Sequence, residues 1–184
     1  EHFKKFIESS LPGEAVVLDA GCGKQGLIRE YLSNIRFMVG ADIDKNSIRG
    51  NVITDKQAFV LASLEKLPFR EETFDLIACQ WVVEHLREPQ IALDEFYRIL
   101  KKGGRIVVFT SNAYNLIPII SKFLPTRAKN TILKKIGRDE SDLFPTYYRC
   151  NTVGRLQKTF GKSGFQKEGL MLVGTPFYFY FSKL

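Results

Sequence analysis

Val16-Val17-Leu18-Asp19-Ala20-Gly21-Cys22-Gly23-Lys24-Gln25-Gly26 decides the fold. Three apolar residues, two of them β-branched, run into an acid and then a glycine-rich turn, the pattern of a buried strand that turns tightly into a helix. Gly21, Gly23 and Gly26 fit G-x-G-x-x-G, a spacing that brings bare backbone close to a nucleotide-like ligand. On its own this spacing fits any α/β nucleotide-binding turn. Asp19 narrows it, because an acid just ahead of the turn accepts hydrogen bonds from a cationic amine and repels a pyrophosphate.

Working outward, the same strand-then-helix rhythm repeats. Strands are expected at 15–20, 37–42, 58–61, 74–79 and 105–109, each a short apolar run bounded by turn residues. A helix at 26–34 carries Leu27, Ile28, Tyr31 and Leu32 as its buried stripe, and another from Glu88-Pro89 keeps Ala92, Phe96, Ile99 and Leu100 on one face until Lys101-Lys102-Gly103-Gly104 stops it. Residues 45–56 read as one short helix or irregular chain. Phe3, Phe6 and Ile7 mark a short N-terminal helix leaning on the core or over the ligand.

Five strands alternating with helices predict an α/β fold: a doubly wound, Rossmann-like, mostly parallel sheet with helices on both faces. Beyond the fifth strand the rhythm changes. Residues 112–150 contain Pro118, Pro125 and Pro145, no strand signal and an amphipathic basic stretch, which predicts a helical lid inserted after the fifth strand. Asn151 or Thr152 then caps a helix running through Ser163, followed by a strand at 165–173 and an edge strand after Gly174. The chain is expected to form a single domain over 1–184, with its core at 11–111 and 151–184 and a lid for acceptor recognition at 112–150.

At 184 residues, 45% hydrophobic and 26% charged, the composition is that of a soluble globular domain. Cys22, Cys79 and Cys150 lack C-x-x-C spacing, which argues against a zinc site or disulfide framework and predicts a reducing, cytoplasmic location. The longest apolar run, 116–120, is too short to span a bilayer, and no signal peptide is visible. The chain begins at Glu1 rather than Met and ends on an apolar run, so both termini are read as provisional. The closing Ser182-Lys183-Leu184 resembles a peroxisomal address and is read as chance in a trimmed chain. A net charge of +7 suits nucleic acid, anionic headgroups or an acidic small substrate. Its densest stretch, 122–138, fits a solvated helix face equally well. Gly161-Lys162-Ser163 fails as a phosphate loop because Leu156 stands where the upstream glycine is needed.

The opening motif is joined by others in order: Val39-Gly40-Ala41-Asp42; Ser63-Leu64-Glu65-Lys66-Leu67-Pro68-Phe69 with Thr73-Phe74-Asp75-Leu76-Ile77; Val82-Val83-Glu84-His85-Leu86-Arg87-Glu88-Pro89; and Glu95-Phe96-Tyr97-Arg98-Ile99-Leu100-Lys101-Lys102-Gly103-Gly104. Over about residues 15–111 the chain resembles the class I S-adenosylmethionine-dependent methyltransferases, specifically the type 11 methyltransferase-domain family. The resemblance implies S-adenosyl-L-methionine as cofactor and S-adenosyl-L-homocysteine as product. It places Asp19, Gly21, Cys22 and Gly23 by the methionine part and Asp42 and Ile43 by the ribose. Ser63 and Leu64 fall by the adenine, Gln80 closes the pocket near the sulfonium, and Trp81 is a candidate to flank the cofactor or an acceptor ring. Two readings of single residues stay open: Asp42 as ribose acceptor or cap of the following turn, and Trp81 as ring platform or packing. Ser63 departs from the family, whose usual aspartate accepts from the adenine amino group, so cofactor affinity is expected to be lower or the contact to move to backbone. Asp44 has no assigned role.

Methyl transfer requires alignment and, at a hydroxyl or amine acceptor, removal of a proton. His85, just past the fourth strand, is the candidate general base, with a loop-shaping backbone hydrogen bond as the alternative. Relatives that bind a divalent metal use E-x-x-E-H here; Trp81 occupies the first acid position, so no metal is expected. Asn112, Tyr114, Tyr147, Tyr148 and Arg149 are candidates for acceptor binding. The segment from Phe144 to Thr152 resembles type 11 relatives of sugar and surface-glycan pathways. The expected activity is methylation of a small-molecule, sugar or lipid-linked acceptor at oxygen, with RNA methylation or a catalytically inactive binding protein as alternatives. Peripheral membrane contact is compatible with the basic stretch.

Overall fold

The computed structural model describes residues 2–24, 33–113, 144–172 and 176–183. The first helix expected after the glycine turn (26–34), most of the proposed lid and Tyr114 lie outside them. The elements in order are α1 (His2–Ser10), β1 (Ala15–Ala20), β2 (Ile35–Asp42), α2 (Lys45–Arg49), β3 (Gln57–Leu61), β4 (Phe74–Gln80), a 3-10 turn (Val83–His85), α3 (Pro89–Ile99), β5 (Leu100–Ser111), α4 (Val153–Lys162), β6 (Gln166–Leu172) and β7 (Pro176–Ser182). They form a seven-stranded sheet in the order β3-β2-β1-β4-β5-β7-β6. The first five strands are parallel, and β7 runs antiparallel to both β5 and β6.

Alternation along each strand splits the core. Val17, Met38, Leu76, Ala78 and Val107 share one sheet face with Ile7 of α1, which is fully buried, so the N-terminal helix leans on the core. Leu18, Ile77, Cys79, Ile106 and Val108 face the other way, against Ala92, Leu93 and Phe96 of α3 and Leu156 and Phe160 of α4. Thr152 caps α4 by accepting from the Arg155 N–H, as its residue type predicts. Gly161-Lys162-Ser163 closes α4 and docks it, with the Ser163 hydroxyl donating to Asp94 of α3 at 2.6 Å.

Several residues of the motifs quoted above hold the frame. Glu95 accepts from the Leu67 N–H, and Arg98 donates to the carbonyls of Leu67 and Phe69 while pairing with Glu95 at 2.8 Å. The loop Leu67-Pro68-Phe69 is therefore locked onto α3. Asp75 accepts from the Val16 N–H at 2.9 Å and pairs with Lys101 at 2.8 Å, joining the starts of β1, β4 and β5.

Two expectations need correction. The glycine turn at 101–104 does not separate helix from strand: β5 starts at Leu100, and the glycines bulge between the pairs Phe74–Leu100 and Leu76–Arg105. Gly103 takes a left-handed backbone, φ +72°, and the bulge is held to the chain's end because the Gly103 N–H donates to the Lys183 carbonyl and the Lys183 N–H to the Gly104 carbonyl. The strand after Gly174 is not an edge. β7 inserts between β5 and β6, an interior place that suits a run apolar at every position, 177–181. Lys183 itself is buried, its ammonium donating to the carbonyls of Tyr97 at 3.1 Å and Leu100 at 2.8 Å at the end of α3. In this fold the lysine clasps a helix terminus. Among the described residues no helix is long and apolar enough to cross a membrane.

Candidate functional site

Strand order reverses between β1 and β4, so their carboxyl ends open a crevice where α/β sheets bind ligands. A cavity of about 500 Å³ lies there, within the range of small-molecule sites. It is lined by Gly21, Gly23, Asp42, Ile43, Ser63, Leu64, Gln80, Trp81, His85 and Tyr147, all of them sequence candidates.

The glycine turn has a steric reason. Gly21 has φ +76°, and a Cβ there would sit 2.2 Å from Val82 Cγ2, so any side chain would collide with the loop after β4. The N–H groups of Gly21 and Cys22 both donate to the Ala41 carbonyl, tying the turn to β2. Gly23, with φ +58°, has no atom within 4 Å of a built Cβ and donates to Asp42 Oδ2 at 2.8 Å. Asp42 Oδ1 accepts from the Asp44 N–H at 2.8 Å. An ionised carboxylate has about four acceptor positions, and these two bonds orient the group while leaving acceptor capacity for a pair of ligand hydroxyls.

The unassigned Asp44 is the N-cap of α2. It accepts from the N–H groups of Asn46 and Ser47 and from the Ser47 hydroxyl at 2.6 Å, and the Ser47 bonds hold its carboxyl below the usual range. Ser63 Oγ accepts from the Glu65 N–H at 3.2 Å, which makes the serine the cap of its own turn beside the cavity. Ile43, 67% exposed, and Leu64 supply an apolar flank.

The opposite wall is built from two distant segments. Trp81 follows β4 with φ +58°, a backbone conformation that costs a bulky residue roughly 1–3 kcal/mol. It is held by donation from its N–H to the Phe109 carbonyl, and its ring meets Phe109 edge-on with centroids 4.3 Å apart. The residue stays 45% exposed and lines the cavity while its ring packs on Phe109. His85 Nδ1 lies 3.0 Å from the Pro145 carbonyl oxygen. A carbonyl only accepts, so Nδ1 carries a proton, and in the neutral imidazole the lone pair is then on Nε2. The loop-shaping backbone hydrogen bond given as the alternative for His85 is thus present.

Sequence reasoning missed how this wall is anchored. The Glu84 carbonyl accepts from the N–H groups of Tyr147 and Tyr148. Its carboxylate, 4% exposed, accepts from Thr110 Oγ1 at 2.7 Å and Ser111 Oγ at 3.3 Å, while Asn151 Nδ2 donates to Thr110 Oγ1 at 2.6 Å. The signal was limited to an acid beside His85. Glu65, Val82, Leu86, Arg87, Phe144 and Pro145 also line the cavity without having been named as site candidates.

Other candidates fall elsewhere. Asp19 is 3% exposed in β1, between Gly40 and Ala78, and Cys22 is buried; neither lines the cavity. Burial first, then the charges of Asp19 and Asp42, push the Cys22 thiol up to about 12. Asn112, Tyr148 and Arg149 do not line the cavity either. Tyr148 has φ +50°, so successive side chains diverge there, and Arg149 is exposed.

This fold, with its crevice at the strand-order reversal, is the architecture of class I methyltransferases. Residues 18–108 match the methyltransferase-domain family model, and the chain belongs to that family, a group of S-adenosylmethionine-dependent enzymes. It is 33% identical over 129 residues to a tRNA (carboxymethyluridine(34)-5-O)-methyltransferase of Arabidopsis thaliana, covering 67% of this chain and 31% of that protein. It is 32% identical over 80 residues to the ubiquinone/menaquinone biosynthesis C-methyltransferase of Rhizobium rhizogenes, covering 44% of this chain and 31% of the relative. The chain therefore spans about a third of these two relatives. A crystal structure of an S-adenosylmethionine-dependent methyltransferase from Methanosarcina mazei superposes with a TM-score of 0.74 at 19% identity, over 97% of this chain and 96% of that one. The donor set fits the family's cofactor: Asp42 offers oriented acceptors for two hydroxyls, and Ile43 and Leu64 an apolar flank for a planar base.

Proposed function

We propose that the chain methylates an oxygen of a small-molecule, sugar or lipid-linked acceptor, with His85 as the general base. S-adenosylmethionine, when bound, supplies a methyl group on a positively charged sulfur. Asp42, Ser63 and Leu64 hold the nucleoside side, with Asp42 accepting from ribose hydroxyls, and Gly21 and Gly23 border the methionine part. Asp19, buried beneath the turn, contributes negative charge on the amine side. Gln80 and Trp81 close the strand-end side. His85 Nε2 takes the acceptor's hydroxyl proton as the oxygen gains the methyl group, and the Nδ1–H bond to Pro145 keeps the imidazole in that tautomer and stabilises the imidazolium formed. The region 112–150 is assigned to acceptor recognition, and Phe144, Pro145 and Tyr147 of it line the cavity.

The observation that carries this reading is His85 on the cavity wall with only Nε2 free to accept. The cavity supports a small acceptor over RNA. The relatives' names divide between oxygen and carbon, so the product must decide. Incubation with S-adenosylmethionine and hydroxylated acceptors, with the product's attachment site read by NMR, tests it. An O-methyl product whose turnover falls roughly 10²–10⁴-fold in His85→Gln, with S-adenosylhomocysteine affinity unchanged, is expected. A C-methyl product, unchanged turnover in the variant, or steeply salt-dependent RNA binding with RNA methylation would overturn it.

A further inference from the structure

We infer that the acceptor carries a carboxylate or phosphate, bound at the cavity mouth by the two Nη nitrogens of Arg87. The inference deepens the proposed function and rests on the same cavity. Arg87 lines that cavity next to His85 and is exposed. Its Nε donates to the Tyr147 hydroxyl at 2.8 Å, and its guanidinium carbon lies 5.4 Å from the Tyr147 ring centroid. A long cationic side chain loses rotamer freedom when it grips a ligand. Here Tyr147 has already fixed the plane of the fork.

The bond to Tyr147 uses one of five N–H donors. Nη1 and Nη2 make no hydrogen bond or ion pair with any described residue, and their four donors have the planar geometry that matches two oxygens of a carboxylate or phosphate. Of the two acids lining the cavity, Asp42 is engaged by Gly23 and Asp44 at the other end. Glu65 accepts from the Glu88 N–H at 3.4 Å and forms no ion pair with Arg87. Among the described residues the guanidinium is the one lysine or arginine group lining the cavity, and Glu65 acts on it through charge without a hydrogen bond or ion pair. Trp81, Phe144 and Pro145 line the same cavity, and their apolar surfaces weaken solvent screening of an ion held in it.

The test uses ring compounds that this mouth can seat. Protein saturated with S-adenosylhomocysteine is titrated calorimetrically with 4-hydroxybenzoate, with 4-hydroxyphenyl phosphate, and with the neutral methyl ester of 4-hydroxybenzoate. At least one anion is expected to bind about tenfold or more tighter than the ester. Arg87→Met abolishes that preference, Arg87→Lys keeps part of it, and Glu65→Gln strengthens it by removing a like charge. Equal binding of ester and anions, a preference surviving Arg87→Met, or no anion binding up to about 10 mM would overturn the inference. The two anions distinguish carboxylate from phosphate. Repeating the titrations without nucleoside keeps the readings apart: failure of S-adenosylhomocysteine to bind removes the cofactor assignment, whereas loss of the anion preference removes this inference alone.

Discussion

The two halves of the cavity are held together by different kinds of contact. Around Gly21, Gly23 and Asp42 the ties among the described residues run to the end of β2 and to the short helix that follows it: Gly21 and Cys22 to Ala41, Gly23 to Asp42, and Asn51 Nδ2 to the carbonyls of Gly23 and Ser47 at 2.8 Å each. The wall facing them joins residues 60 positions apart, His85 to Pro145 and Arg87 to Tyr147. The first half follows from the parallel sheet, because β1 and β2 must lie side by side there. The second depends on where a long connection returns. A fold can therefore keep its cofactor geometry while the returning segment changes, and acceptor choice changes with it.

The largest test strikes the local half. Asp42→Ala removes the carboxylate proposed to accept from two ligand hydroxyls and leaves the N–H groups of Gly23 and Asp44 without that acceptor. S-adenosylhomocysteine binding is expected to weaken roughly 100-fold or more, about 3 kcal/mol, by calorimetry, with the affinity of the Arg87 site for its anion unchanged. Loss of both together would show that the halves do not act separately.

The complementary break is Glu84→Leu. Thr110 is fully buried and donates to Glu84, so the leucine leaves its hydroxyl without that acceptor. The cost is about 1–3 kcal/mol, read as a lower thermal midpoint. The Tyr147 and Tyr148 ties go to the Glu84 backbone carbonyl and survive the substitution. The acceptor KM should rise as the support beneath them loosens, with cofactor affinity near wild type. A parallel fall in cofactor affinity would contradict the comparison, and an unchanged midpoint would remove Glu84 from the anchoring role.

The same division sets what the sequence could reveal. β1 was legible to the residue, since β-branched apolar residues ending in a glycine turn leave little choice of element, and Asp42 could be placed because a parallel strand must deliver its last residue to the same sheet end. The position of β7 was hidden, because pairing with β5 across more than 60 residues leaves no local mark and an apolar run fits an edge or an interior strand until a neighbour is found. Arg87 and Glu84 sat inside a recognised motif, yet their partners Tyr147, Thr110 and Ser111 are remote. Tyr147 and Tyr148 read alike in sequence; the left-handed backbone at Tyr148 sends only the first to the cavity.

The smallest effect uses one thiol under each half. Cys22 lies beneath the glycine turn and Cys150 beneath the anchored wall, and both are pushed up to about 12, chiefly by burial and then by nearby carboxylates: Asp19 and Asp42 for Cys22, Glu84 for Cys150. An unfolded thiol titrates near 8.5, so from there to about 12 the folded chain binds more protons than the unfolded one. Stability is therefore full below the unfolded value and falls as pH rises through that window. Urea denaturation from pH 7 to 10 should show the decline, and Cys22→Ala and Cys150→Ala should each flatten it. Native-state labelling with a neutral thiol reagent then sharpens the comparison. S-adenosylhomocysteine should slow modification of Cys22 more than that of Cys150, because it closes the local half. Equal protection of the two thiols would mean that ligand binding at the strand ends also tightens the wall returning from residue 144, making the two halves one cooperative unit.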